Sequence, residues 1–114
     1  MHGVFVDRAG VGEARKAIHD GETLAGLGET FKMLGDVTRL KICCALARRE
    51  LCVSDIAALI GLTDSAVSHQ LRLLKALRLV RYRRDGKLTY YMLDDDHIER
   101  LIGLGVRHVT EEKR

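Results

Sequence analysis

Apolar residues in this chain recur first at helical spacing and later at strand spacing. In "TLAGLGETFKMLG", Leu24, Leu27, Phe31 and Leu34 fall three or four residues apart, which is one face of a helix. Its glycines disfavour it as an isolated helix, so the segment must lean on something. Gly35-Asp36 ends it, and Thr38 is placed to cap the next helix, "RLKICCALARR". There Leu40, Cys43, Cys44, Leu46 and Ala47 form the apolar stripe. A third, short helix, "VSDIAALIG", stops at Gly61, and Thr63 caps a fourth, "DSAVSHQLRLLKAL". In the fourth, Ala66, Val67, Leu71, Leu74 and Leu77 face inward, while Ser65, Ser68, His69, Arg72 and Lys75 lie mostly on the opposite side. The period then changes. "LVRYRR" and "LTYYML" are short runs rich in β-branched and aromatic residues, and the "DGK" between them supplies a hairpin turn. A closing helix is entered through Asp94, Asp95 and Asp96. Residues 1–20 are glycine-punctuated and weakly patterned, an arm expected to turn helical from about Glu13. The expectation is a mainly α domain with a β-hairpin over residues 21–114, preceded by the arm.

Length and composition narrow the function class. At 114 residues the chain suits one domain with a modest core. Its 46% hydrophobic and 31% charged residues are a globular balance. No apolar run approaches the ~20 residues of a membrane span, and the opening "MHGVFVDRAGVGEARK" lacks the layout of a signal peptide. A cytoplasmic protein is expected, and the three cysteines, Cys43, Cys44 and Cys52, fit it. Their number is odd and two are adjacent, which is no disulfide framework. The formal charge of +3 decides little, but its distribution decides more. Arg72, Lys75, Arg78, Arg81, Arg83, Arg84 and Lys87 face only Asp85 within residues 71–90. Asp94, Asp95, Asp96 and Glu99 then outnumber Arg100. A basic block of that density suits a polyanionic partner, although most charge runs are merely solvated faces.

Position separates the two. A short helix, a turn holding Gly61 and a second helix form a helix-turn-helix pattern, and the basic hairpin that follows makes a wing. Near the start of the second helix, Ser65, Ser68, His69 and Gln70 are small or hydrogen-bonding, suited to base edges in a major groove. Arg72 and Lys75 can reach phosphates, and Arg83, Arg84 and Lys87 at the wing can touch the flanking backbone. An ordinary amphipathic surface helix would explain the helix by itself, but not the order helix-turn-helix, hairpin and basic charge centred on both. No nucleophile–base pair or phosphate loop is visible, so no enzyme and no small-molecule substrate are expected.

The stretches "LGDVTRLKI", "ELCVSDIAALIGLTDSAVSHQLRLLKALRLVRYRRDGKLTYYML" and the closing helix resemble the ArsR/SmtB family of bacterial metal-responsive repressors, across about residues 24–112. The resemblance implies a homodimer of winged helices that sits on double-stranded operator DNA and leaves when metal binds. Two-fold binding also agrees with the limited reach of one recognition helix.

Three places could sense. The family's thiolate site lies in an E-L-C-V-C-D-type stretch. Here the stretch reads "ELCVSD", so Ser54 replaces the second Cys. Cys52 and Asp55 could still form a mixed second metal site with arm donors such as His2, Asp7 and His19, or Cys52 could be a small buried hydrophobe. Cys43 and Cys44 point ~100° apart on a helix. Both read as core, and a thiol-based sensor using Cys43, Cys44 or Cys52 is the alternative function. The third place is the closing helix, with Asp95, His97, His108 and Glu111. His97 and His108 stand ~16 Å apart along one helix, too far for one ion with donors at ~2 Å. Two antiparallel helices from two protomers can bring the pairs together. Asp95 and His97 converge only if Asp95 precedes the helix as a cap. Capping and surface polarity would explain these residues one by one. The layout D-x-H, ten residues, H-x-x-E is similar to the family's C-terminal-helix zinc site, which implies Zn²⁺ or Co²⁺ as the regulatory ligand. The resemblance also implies that the second nitrogen of a ligand His, matched here by His108, bonds toward the DNA-binding helices.

Overall fold

A computed structural model describes residues 5–111. Six helices and three short strands run in the order α1 (Arg8–Lys16), α2 (Gly21–Leu34), α3 (Val37–Arg48), β1 (Leu51–Cys52), α4 (Val53–Ile60), α5 (Asp64–Ala76), β2 (Val80–Asp85), β3 (Leu88–Leu93) and α6 (Asp96–Glu111). The mainly helical fold with a hairpin agrees with expectation. Its centre is made where α3, α4 and α5 meet the root of the hairpin. Ile42, Cys43, Ile56, Val67, Leu71, Leu74 and Val80 lose essentially all contact with solvent there. Burying a Leu or Ile side chain stabilises by roughly 1.5–3 kcal/mol, so these residues fix how α5 sits.

Local chemistry explains each boundary, including those the pattern misplaced. α1 begins at Arg8 rather than Glu13, because the Asp7 carboxylate accepts from the Gly10 amide at 3.0 Å and starts the helix early. α3 is capped by Asp36, not Thr38: Asp36 Oδ2 accepts from the Arg39 amide at 3.0 Å. Cys43 is core as expected, but Cys44 is exposed, and Ile42 takes the buried place beside Cys43. The two-residue β1 had no periodicity to reveal it. It pairs antiparallel with β3, Leu51 opposite Tyr91 and Cys52 opposite Tyr90, in a sheet ordered β1-β3-β2. The hairpin closes with Asp85 opposite Leu88, so its two loop residues are Gly86 and Lys87. Gly86 takes φ 62°, which a glycine tolerates without strain.

The end formed by α1, α2 and α6 is less compact. α1 buries none of its residues. On α2, Leu34 is buried but Leu24, Leu27 and Phe31 are 40%, 47% and 51% exposed. On α6, Ile98 is buried, while Leu104, Val106 and Val109 stay open to solvent. The Cα radius of gyration is 19.0 Å, against about 13 Å for a compact domain of this size. Between α2, α3 and α6 lies an apolar trough of about 620 Å³, with Phe31, Leu40, Cys44, Leu101 and Val109 among its walls.

Candidate nucleic-acid interface and metal-ligand positions

The helix-turn-helix is α4, a turn and α5. Gly61 ends α4 in the left-handed region at φ 82°, where its amide and that of Leu62 both return to the Ala57 carbonyl. Thr63 Oγ1 then accepts from the Ala66 amide at 3.1 Å and opens α5. Across the turn, Ser54 Oγ donates to Asp64 Oδ2 at 2.8 Å, bracing one helix against the other. Ser54 therefore has structural work of its own where a thiolate sensor would carry Cys. Beyond the turn, Ser65, His69, Arg72 and Lys75 are exposed and Ser68 is half-buried on the same side of α5. Gln70 departs from its expected place. It lies three residues after buried Val67 and four before buried Leu74, hence on the core side. Its Oε1 accepts from Arg39 Nε at 2.8 Å.

The wing continues the same surface. Lys75 Nζ sits 4.4 Å from the centre of the Tyr82 ring, which packs against Tyr91 at 5.7 Å, so an aromatic pair joins α5 to the hairpin. Alternation along β2 sends Arg83 to the other face. There Arg83 Nε donates to Glu50 Oε1 at 2.7 Å, and the guanidinium lies 4.9 Å from the centre of the Tyr90 ring. The hydrogen bond to Glu50 raises the Arg83 pKa and offsets its charge locally. Arg84 and Lys87 are exposed, and no carboxylate holds either among the described residues.

The domain's relatives decide its family. The family model for bacterial regulatory proteins of the arsR family matches residues 36–82. The chain is 48% identical over 85 residues to a transcriptional repressor SmtB homolog of Synechocystis, covering 75% of this chain and 64% of that relative. It is 39% identical over 109 residues to the cadmium resistance transcriptional regulatory protein CadC of Listeria innocua, covering 95% of this chain and 89% of the relative. The chain belongs to the ArsR/SmtB family. The fold agrees with that of a homodimeric winged helix-turn-helix DNA-binding domain from Mycobacterium bovis, with a TM-score of 0.73, 33% identity and 87% of each chain covered.

Within this ArsR/SmtB fold the ligand candidates separate into groups. Asp95 stands immediately before α6. Its Oδ1 accepts from the His97 amide at 2.9 Å, and its Oδ2 lies 3.1 Å from His97 Nδ1. The two side chains thus meet at the helix entrance. His108 and Glu111 lie three residues apart and exposed near the other end of α6, with Arg107 Nε 3.5 Å from Glu111 Oε2. Among the described residues of one chain, no three His, Cys, Asp or Glu side chains come together as a metal-holding group. At the other candidate site, Cys52 is half-buried rather than buried, and the Cys52 amide donates to Asp55 Oδ2 at 3.4 Å, a helix-capping contact. Of the arm donors, Asp7 caps α1, His19 is exposed, and His2 lies outside the described residues. Burial first and neighbouring Cys44 second push the Cys43 thiol up to about 11. Glu50, Arg39 and Tyr82 were not singled out by the sequence, since each acts through a partner elsewhere along the chain; Ser54 stood out only as the replacement for a cysteine, not for its bond to Asp64.

Proposed function

We propose that this protein is a homodimeric, operator-binding repressor that is released from DNA by a divalent metal, Zn²⁺ or Co²⁺, held between the α6 helices of two protomers. The observation that carries this reading is the meeting of Asp95 and His97 at the entrance of α6. Two donors are already drawn together there, and the matching pair, His108 and Glu111, stands ~16 Å away on the same straight helix. An antiparallel α6 from a second protomer would bring each pair to the other. Two imidazole nitrogens and two carboxylate oxygens suit a tetrahedral zinc or cobalt ion.

The second copy is supported by the surfaces it would cover. The trough between α2, α3 and α6 is apolar, and Phe31, Leu104 and Val109 on its walls are open to solvent. Gly103 and Gly105 have open space where a Cβ would stand, so a second helix can approach α6 closely. Dimerisation also pairs two copies of α5 for two half-sites. In this reading Ser65, Ser68 and His69 address base edges, and Arg72, Lys75, Arg84 and Lys87 hold phosphates. Fixing the two α6 helices in one relation would change the spacing of the two α5 helices. A coupling of ~1–3 kcal/mol is typical of such linkage. The test is to select a duplex from a random library with the metal-free protein, then titrate it with zinc, cobalt, nickel and cadmium. Selective binding reversed by zinc or cobalt supports the reading; binding indifferent to every metal overturns it. Thiol sensing is the second reading, because Cys44 is exposed at the trough. Release by peroxide and not by metal would select it.

A further inference from the structure

Arg39 joins three helices near the recognition helix. Its backbone amide is bound by the Asp36 cap at the start of α3. One guanidinium nitrogen donates to the Met33 carbonyl at 3.4 Å, one of the last carbonyls of α2, which lack partners within their own helix. Its Nε donates to Gln70 Oε1 at 2.8 Å, the one side-chain hydrogen bond between α3 and α5 among the described residues. A guanidinium only donates, so the carboxamide must turn its oxygen to Arg39. Gln70 is half-buried on the core side of α5, between Val67 and Leu74, and away from the exposed row of Ser65, His69 and Arg72. The residue after Met33 is Leu34, which lines the trough opposite α6.

We propose that Arg39 is a positioning residue for DNA recognition: through Gln70 it fastens the recognition helix to the corner where α2 meets α3, and Gln70 reads no base itself. This rests on the DNA-binding reading above. Deleting Arg39 leaves the half-buried Gln70 oxygen without this donor, deleting Gln70 leaves Arg39 Nε without its acceptor while the bond to Met33 stays, and either change frees α5 to shift against that corner. The effect on a bound operator is then a loss of fit over the whole half-site. A base reader would instead lose discrimination at one base pair.

The test compares Gln70→Ala, Gln70→Glu, Arg39→Ala and the double alanine variant by fluorescence anisotropy. The probes are the duplex selected by the wild-type protein, its single-base-pair variants, and a scrambled duplex. Thermal unfolding is followed in parallel. Gln70→Ala and Arg39→Ala should each weaken operator binding about tenfold, the scale of one hydrogen bond to a charged group. The loss should be equal across the single-base-pair variants and absent on the scrambled duplex. The double variant should be no weaker than either single one. Gln70→Glu should restore affinity, since a carboxylate accepts the same Arg39 N–H. The Gln70 pair of variants decides the matter even if Arg39→Ala fails to fold. Loss confined to one base pair, failure of Gln70→Glu to rescue, or a change in Tm with operator affinity intact would each overturn the proposal. A wild-type protein with no selective duplex would overturn the DNA-binding reading and this proposal with it; a selective wild type with any of those three results overturns this proposal alone.

Discussion

Two adjacent wing arginines should differ sharply in what they give to DNA binding. Arg84 is exposed and, among the described residues, held by no carboxylate, whereas Arg83 on the opposite face is engaged by Glu50 at 2.7 Å and lies over Tyr90. Each phosphate contact contributes about 0.9 to the slope of log affinity against log salt, so losing one per wing costs a dimer about 1.8. Between about 50 and 200 mM salt, that contribution alone corresponds to roughly tenfold in affinity. Arg84→Ala should therefore flatten the slope by about 1.8 and weaken all duplexes alike, with Lys87→Ala behaving similarly. Arg83→Ala should change the slope by well under half as much, since Glu50 already offsets that cation. Glu50→Gln should steepen the slope, by releasing Arg83. The assay is anisotropy titration of one duplex over a series of salt concentrations. Equal slope changes for Arg83→Ala and Arg84→Ala would refute the assignment of the two faces of β2.

Other consequences concern the cysteines and the core. The Cys43 thiol ionises near 9.0 in the unfolded chain and at about 11 in the folded one. Below 9 both states are neutral; above it only the unfolded chain loses the proton, so stability falls as pH rises from about 9 to about 11, by up to roughly 2–3 kcal/mol. Urea unfolding of wild type and Cys43→Ala at several alkaline pH values checks this, and an identical pH slope in the two would contradict it. Cys52→Ser should leave metal-triggered release from DNA intact, because Ser54 is committed to Asp64 and Asp55 to a capping contact. A Cys52→Ser protein that stays on its operator at saturating zinc would move the sensing site to α4 and the arm. Leu71→Ala, at a fully buried position of α5, should cost about 2–5 kcal/mol in urea unfolding; a loss below 1 kcal/mol would mean that α5 is not anchored through this face.

The elements that a periodic pattern defines were legible in the sequence. α5 buries Val67, Leu71 and Leu74, as the spacing required, and Gly61 and Thr63 bound the turn as their chemistry predicts. Asp95 also falls before α6, where it can meet His97. What escaped depends on contacts between distant residues. Two residues of β1 carry no period, and their strand exists only because β3 pairs with it. Cys44 shares the apolar character of Cys43 but faces the trough, and composition cannot say which side of a helix the rest of the fold leaves open. Asp36 outcompetes Thr38 as the cap because its carboxylate reaches the Arg39 amide three residues ahead of it. Gln70 looked like a base reader by type, and only the position of Arg39 shows where its carboxamide oxygen goes. Arg83 and Arg84 were indistinguishable as basic wing residues until the register and Glu50 assigned them to opposite faces.

The central claim, that the ion is shared between protomers, is tested most directly by mixing two defective variants. His97→Ala and His108→Ala should each form homodimers that bind operator without metal and bind no zinc tightly at α6. In a mixed dimer, one bridging site would carry both lesions, and the other would keep Asp95 and His97 from one chain with His108 and Glu111 from its partner. Differently tagged variants, co-purified as heterodimers and titrated with zinc against a chelator, give the stoichiometry. The account predicts one tight zinc per heterodimer and none in either homodimer. No recovery of tight binding in the heterodimer, with both homodimers metal-blind, would contradict a site shared across the dimer.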